Sequence, residues 1–378
     1  MRKLATIQQI RKLVPIPGAD RIELAQINDW VCIVKKGEFE VNDLCVYFEI
    51  DSLLPEDERY EFLASSKKDY FGKPKYRIKT MKMRGVISQG LALPLGMYLE
   101  LRHNSLGDDV SEAPGVIKYD PGFYTDNGQK PRTGNTKGKF PSFIPKTDQE
   151  RIQNLPHYYE LYKEHEWEET LKLDGSSLTV YKVEIETTVW HRVRRWLGFN
   201  MSNTHTGVCS RNLELKSSDK RVYKFANDGK ESVYNQSDFW QIVLDLEIEK
   251  YLPVGYALQG ELIGPKIQAN WEKVDSNQFW VFDVYDVYDI TNGRYLLPLE
   301  RHEFLDKYFK SSRLQHVPVV SLGLPVFTHC QDLEALQERV TGASINPGTI
   351  SEGRVYKSMS VPGLSFKCIS NQYLLKAD

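Results

Sequence analysis

Lys172 sits in the run Leu171-Lys172-Leu173-Asp174-Gly175, one apolar residue ahead of an acid and a glycine, and an alternating apolar stretch follows. A lysine amine can act as a covalent nucleophile once it has lost its proton. Its ordinary pKa, about 10.4, keeps it protonated at neutral pH. Nearby cations or a bound divalent metal lower that value, so Lys172 calls for an electropositive pocket. Asp174, two residues on, shares a strand face with Lys172. Gly175 permits close approach of the backbone to a ligand. Further polar clusters follow in order: Ser210-Arg211-Asn212, Gly260-Glu261-Leu262, Phe282-Asp283-Val284-Tyr285, Ser351-Glu352-Gly353-Arg354-Val355-Tyr356-Lys357 and Ser365-Phe366-Lys367. Arg211 offers a planar fork suited to phosphate or ribose. Each group also has a plain structural reading: an exposed strand lysine, surface ion pairs for Arg211 and Glu261, a core aromatic for Phe282. Their shared order and polarity set them apart from chance.

This ordered set resembles the motifs of covalent nucleotidyltransferases, and most closely those of ATP-dependent RNA ligases that carry an N-terminal OB-like domain. The resemblance implies that the Lys172 amine attacks the α-phosphate of ATP and holds AMP as a phosphoramidate. It implies catalytic roles for Lys172, Asp174, Glu352 and Lys367. Nucleotide binding falls to Leu171, Arg211, Glu261, Phe282 and Lys357, with Phe282 stacking on the base. Trp280 has the same strand parity, and the choice of Phe282 follows from the motif alignment; Asp283 is expected to be structural. Asp174, Glu261 and Glu352 are expected to hold Mg²⁺ or Mn²⁺ mainly through water, because Mg²⁺ keeps much of its hydration shell. Lys367 is expected to meet the α-phosphate and neutralise charge as pyrophosphate leaves. The chain departs from the Lys-x-Lys form of the last motif, since position 369 is Ile. Lys376 is a candidate for the second lysine.

The implied pathway has three steps: AMP goes to Lys172, then to an RNA 5′-phosphate, and an RNA 3′-hydroxyl then expels it. The expected partner is RNA with 3′-hydroxyl and 5′-phosphate ends, in a nicked duplex and in the setting of RNA repair. Capping enzymes and DNA ligases share the lysine motif but usually carry an OB domain after the last motif. Eleven residues follow Lys367, so no such domain is expected here. Two other readings stay open: a GTP-dependent capping-type guanylyltransferase, and a non-catalytic RNA-binding protein on a ligase-like core. Labelling with ATP against GTP separates the first, and intact Lys172, Glu352 and Lys367 speak against the second.

The elements that must position these residues read as an α+β protein. An all-β OB-like barrel is expected over 1–118, a linker or mobile loop over 119–145, and a nucleotidyltransferase core over 146–378. That core is expected to be ATP-grasp-like, with antiparallel sheets and flanking helices. Apolar runs at 31–34 and 44–50, and a strand pair about Gly90, suit a small barrel. In the core, Thr147 with Glu150 forms a capping-box pattern that predicts a helix through Arg151, Ile152 and Leu155. Further helices are expected at 237–252, 298–309 and 332–340, the second opened by Pro298. Strands are expected at 255–263, 278–289, 353–358 and 363–369.

Composition narrows the class. The chain has 378 residues, 41% hydrophobic and 26% charged, with a net charge of −2. Such a balance suits a globular protein and excludes a globally basic nucleic-acid binder. Basic charge is nonetheless concentrated in 67–84, with eight Lys/Arg against one acid, interleaved with Tyr70, Phe71 and Tyr76. Lys73, Lys75, Arg77 and Lys79 are its candidate RNA contacts, on the pattern of cations for phosphates and rings for bases. The run 190–196, Trp-His-Arg-Val-Arg-Arg-Trp, is a second such cluster. No apolar run reaches the ~20 residues of a membrane span. Five scattered cysteines suit a reducing compartment. An intracellular, cytoplasmic monomer is the expectation.

Overall fold

A computed structural model describes residues 3–70, 72–119, 136–185, 203–217, 224–225, 231–232, 238–265 and 267–377. Phe71, the 190–196 cluster and most of the 119–142 stretch lie outside the described residues.

The N-terminal part of the chain, to Lys118, folds as the strand-rich barrel expected. Ile22–Ile27 and Trp30–Lys35 form a hairpin across Asn28-Asp29, with Asn28 in the left-handed region at φ 52. A two-residue loop of this kind matches the twist of its flanking strands. Ala5–Gln9, Leu44–Phe48 and Leu91–Pro94 make one sheet. Ile117–Lys118, Ser52–Pro55, Lys73–Arg77 and Lys67–Tyr70 make another. Alternating burial along the hairpin strands and near-continuous burial along Leu44–Phe48 and Leu91–Pro94 close a core around Trp30, Tyr47, Phe48, Tyr60 and Tyr98. Ile369 and Leu374, from the far end of the chain, join that core. Trp30 Nε1 donates to Asn154 Oδ1 at 2.6 Å, and Gln89 Nε2 donates to Asn371 Oδ1 at 3.1 Å.

The remainder is built on two sheets. The larger runs Thr136–Lys139, Leu213–Leu215, Thr204–Cys209, Ser176–Glu184, Tyr256–Ile263, Gln278–Asp286 and Arg294–Tyr295, with Gln315–His316 also pairing to Gln278–Asp286. Its first strand lies within the stretch expected to be a linker. The smaller sheet runs Glu150–Arg151, Ser365–Ile369, Gly353–Ser358, Trp167–Lys172 and Val319–Leu324. Nearly all pairings are antiparallel. Helices Asp238–Asp245, Pro298–Phe309 and Leu333–Val340 flank the sheets. Asp332 caps the last of these by accepting from the Ala335 N–H.

Two expected helices change. Thr147-Asp148-Gln149-Glu150 opens no helix: Glu150–Arg151 pairs in parallel with Phe366–Lys367, and Ile152–Asn154 is a short 3-10 turn. Arg151, Ile152 and Gln153 are all buried. Three consecutive residues cannot share one helical face, since each step turns the helix by about 100°. The 237–252 helix, whose first residue lies outside the described residues, breaks at Glu247, which is left-handed at φ 50. Leu246 and Ile248 would face nearly opposite ways in one helix; the break buries both.

A polar knot ties the second helix to the Lys172 strand. Arg301 Nη2 donates to Glu168 Oε2 in an ion pair, and His302 Nε2 lies 2.9 Å from Glu168 Oε1. Arg301 and Glu168 side chains are both 0% exposed. Breaking a buried pair leaves an uncompensated charge, so Arg301→Ala should cost about 3–5 kcal/mol of stability in chemical denaturation. A loss below about 1 kcal/mol would show that the pair does not hold the helix.

Candidate active site

Strand register assembles the site. Lys172 is the last residue of its strand and pairs with Gly353, so Glu352 falls beside it. Lys172 Nζ donates to Glu352 Oε2 at 2.6 Å. Lys367 pairs across from Val355 on the next strand, and Glu261 lies opposite Ser177 on the larger sheet. Gly175 makes the turn between the two sheets possible. A Cβ there would collide with the Leu262 carbonyl oxygen and the Ile263 side chain. Gly175 thereby lets the backbone approach the Glu261 strand closely. Gly353, at φ +154 and against the Cys368 carbonyl, is fixed by the same kind of crowding.

The electrostatics around Lys172 run opposite to the sequence expectation. Its nearest charges are acids. Burial alone would pull the amine's pKa down, but Glu352, Glu261 and Asp174 outweigh it and hold the amine above its usual value. Burial, then Glu352, pushes Asp174 up to about 7, with Lys172 opposing. Burial also drives Glu261 up to about 8, against Lys172, with Glu352 and Asp174 adding to the rise. The electropositive pocket lies further along, around Arg211 and Lys367.

There Asp148 gathers three cations. Lys118 Nζ and Arg211 Nη2 donate to Asp148 Oδ2 at 3.2 and 3.0 Å, and Lys367 Nζ donates to Oδ1 at 3.3 Å. Arg211 is 41% exposed, Lys367 10%.

Phe282 lies at a β-bulge. Gly260 pairs with Val281 and Gln259 with Asp283, which leaves Phe282 as the extra residue. Bulges re-aim side chains and are common beside active sites. Half-buried Phe282 packs near Leu171, Leu173 and Val317. Lys357 Nζ lies 5.3 Å from its ring centroid and 2.6 Å from Asp283 Oδ1, and also donates to the Phe282 carbonyl. Burial lowers the Lys357 pKa, with Asp283 opposing. Lys357 thus braces the bulge from beneath the sheet. The Leu171 N–H donates to the Pro318 carbonyl at 2.9 Å. Lys376 is exposed at the end of the last helix, outside this cluster.

Four residues of the site escape sequence reasoning. Asp148 falls inside a pattern that predicts a helix start, and Lys118 at the expected end of the barrel. Glu272 is buried and accepts from the Asp174 N–H at 3.4 Å. The Tyr373 hydroxyl hydrogen-bonds Asp174 while its ring meets Trp271 edge to face at 5.0 Å. None has a spacing that would reveal it.

In the barrel, Lys73 is exposed and Lys75 and Lys79 are partly exposed. Arg77 Nη2 donates to Asp51 Oδ1 at 2.9 Å, and its guanidinium lies 3.7 Å from the Tyr119 ring centroid.

A lysine held among carboxylates, with cations gathered around Asp148 nearby, is the arrangement of a covalent nucleotidyltransferase. Comparison with known families and structures narrows the class. The RNA ligase family profile matches residues 165–371, and an OB-fold domain profile matches residues 4–95. A mutant RNA ligase of Naegleria gruberi solved with ATP and Mn is 36% identical, with a TM-score of 0.80, over 99% of this chain and 97% of that one. The Naegleria gruberi enzyme with pyrophosphate is 37% identical, with a TM-score of 0.80, over 99% of this chain and 98% of that one. A mutant of it with AMP and Mn is 36% identical, with a TM-score of 0.79, over 99% of this chain and 98% of that one. A comparison with curated proteins found no significant match. The chain belongs to the RNA ligase family, and its N-terminal part is an OB-fold domain.

Proposed function

We propose that this chain is an ATP-dependent ligase that joins RNA 3′-hydroxyl and 5′-phosphate ends, with Lys172 as nucleophile. The 2.6 Å contact between Lys172 and Glu352, set by strand register, carries the reading. Lys172 Nζ, once deprotonated, attacks the α-phosphorus of ATP; a P–N bond forms and pyrophosphate leaves. The AMP then passes to an RNA 5′-phosphate oxygen, freeing the lysine. Attack by the RNA 3′-hydroxyl forms the phosphodiester and expels AMP. Arg211 and Lys367 stand ready to hold phosphate oxygens, while Phe282 and Leu171 line an apolar place for the base. Relatives solved with ATP and Mn, AMP and Mn, and pyrophosphate support this sequence of states.

The residues fit a divalent ion. Asp174, Glu261 and Glu352 surround one amine, so three carboxylates face a single positive charge; burial first, and their mutual repulsion second, raises Asp174 and Glu261. A Mg²⁺ or Mn²⁺ ion held mainly through water would supply positive charge against the phosphates and favour the neutral lysine amine. We assign Glu352 to accept hydrogen bonds from its water shell and Asp174, steadied by Tyr373, to do likewise.

A nicked RNA duplex, a monomeric enzyme and a cytoplasmic setting complete the proposal. Among the described residues no helix is long and apolar enough to cross a membrane. The test is to offer α-labelled ATP or GTP with Mn²⁺, then a nicked RNA duplex or free single strands. An ATP-specific adduct followed by sealing of the nick is expected. Labelling by GTP alone would move the chain to the capping-type reading.

Residues 1–118 are proposed as the RNA-binding module. Neutralising Lys73, Lys75 and Lys79 together should weaken RNA binding and flatten its salt dependence, by about 0.7–0.9 in log–log slope for each phosphate left without its cation. Adduct formation with ATP should persist, because these lysines lie outside the nucleotide cluster. Unchanged affinity across a salt series would leave the barrel a purely structural support.

A further inference from the structure

Asp148 is surrounded by groups whose chemistry suits phosphate. Lys118 closes the last barrel strand, Arg211 follows the Thr204–Cys209 strand, and Lys367 lies on Ser365–Ile369. Three separate pieces of the fold converge on one carboxylate. Both of its oxygens are used, at 3.0 to 3.3 Å, much as two oxygens of a phosphate would be. Lys367, Lys118 and Arg211 hold the carboxyl well below its usual pKa, although burial pushes the other way. Two small cavities, of about 120 and 30 Å³, share Lys146, Thr147 and Asp148 in their walls. One is bordered by Asp283 and Lys357, the other by Ser177, Thr179, Arg211 and Gln259.

We propose that Asp148 is a built-in stand-in for substrate phosphate: in the nucleotide-free protein its carboxylate fills the anion site of Lys118, Arg211 and Lys367, and an incoming phosphate group displaces it. The proposal rests on the reading of Arg211 and Lys367 as phosphate-binding residues. It adds Lys118 to the site, so that a residue of the OB-fold half takes hold of the same anion as the catalytic half. Displacing Asp148 also transfers Lys118 from an internal ion pair to the substrate, which links the seating of the barrel to phosphate occupancy. The competing account is a simple ion-pair staple between the two halves.

Calorimetric titration of the full chain distinguishes these accounts, with inorganic pyrophosphate, a 5′-phosphorylated RNA and its 5′-hydroxyl counterpart as probes. A self-occupied site lowers apparent affinity by the fraction of time it is free, so Asp148→Asn should tighten anion binding by about tenfold. Lys118→Met should weaken it. A gain with pyrophosphate assigns the nucleotide's phosphate chain to the site; a gain confined to the 5′-phosphorylated RNA assigns the RNA end. Either supports the proposal. Equal or weaker binding of both anions by Asp148→Asn overturns it and favours the staple. Thermal melts establish folding, and Asp148→Ala serves the same test if the Asn variant does not fold. If the parent chain binds neither anion, the reading of Arg211 and Lys367 fails first and takes this inference with it.

Discussion

Lys172→Ala is expected to form no covalent adduct with α-labelled ATP, a fall of at least about 10⁴-fold, on the scale seen when a covalent nucleophile is removed. The expectation follows from geometry: Lys172 is the amine at the meeting of Glu352, Asp174 and Glu261. In the free protein those acids keep it protonated, so adduct formation should also depend steeply on added Mg²⁺ or Mn²⁺. The defect should fall chiefly on the first two steps. RNA that already carries a 5′-adenylate needs no lysine nucleophile, because AMP leaves directly from the RNA end. Lys172→Ala should therefore still seal pre-adenylated RNA, more slowly because the Glu352 pair is gone. Denaturing gels after labelling, and sealing assays on the two RNA forms, give both readouts. Full labelling of the variant would mean that another residue is the nucleophile.

Much of the fold is legible in the sequence because it rests on local signals. Pro298 at a helix start, the helical stretch at 332–340 and the apolar run at 31–34 within Trp30–Lys35 carry their structure in short stretches. Expectation fails where tertiary burial overrides a local pattern. The capping box at Thr147 is a sound helix signal, yet Asp148 is held by cations distant in sequence and Glu150–Arg151 by the Lys367 strand. Glu247 breaks a periodic stretch because two apolar residues on opposite faces both reach the core. The charged cluster is readable as a set of residue types but not as a field. Motif order brings Lys172, Glu352, Glu261 and Lys367 together; it does not show that the acids crowd the lysine while the cations gather at Asp148. That sorting depends on pairing register between strands some two hundred residues apart, as for Arg151 and Lys367. Arg77 shows the same limit on the barrel, where the sequence does not reveal that its guanidinium meets Asp51 and Tyr119.

Glu352→Ala and Lys367→Ala should each abolish nick sealing while the protein stays folded. The proposal places them at opposite ends of the reacting group. Glu352 touches the Lys172 amine directly at 2.6 Å, so its removal takes away both the orientation of the nucleophile and one of the acids proposed to face the metal-bound water. Lys367 lies 10% exposed among the cations at Asp148, where a phosphate would gather negative charge as pyrophosphate departs. Loss of one preorganised charge partner of this kind typically costs about 10²–10³-fold in rate. The patterns should differ. Glu352→Ala should be defective with ATP and with pre-adenylated RNA, since both need the same acid cluster. Lys367→Ala should fail most severely at adduct formation, where the leaving pyrophosphate carries the larger charge. Lys367→Arg keeps the charge but not the compact ammonium, and should recover only part of the activity. Melting curves guard against misfolding, because both side chains sit in ion pairs. Near-parental ligation by Glu352→Ala or Lys367→Ala would show that the last two motifs are misplaced on this chain, and that the strands pairing at Gly353 and Lys367 support the site without entering it.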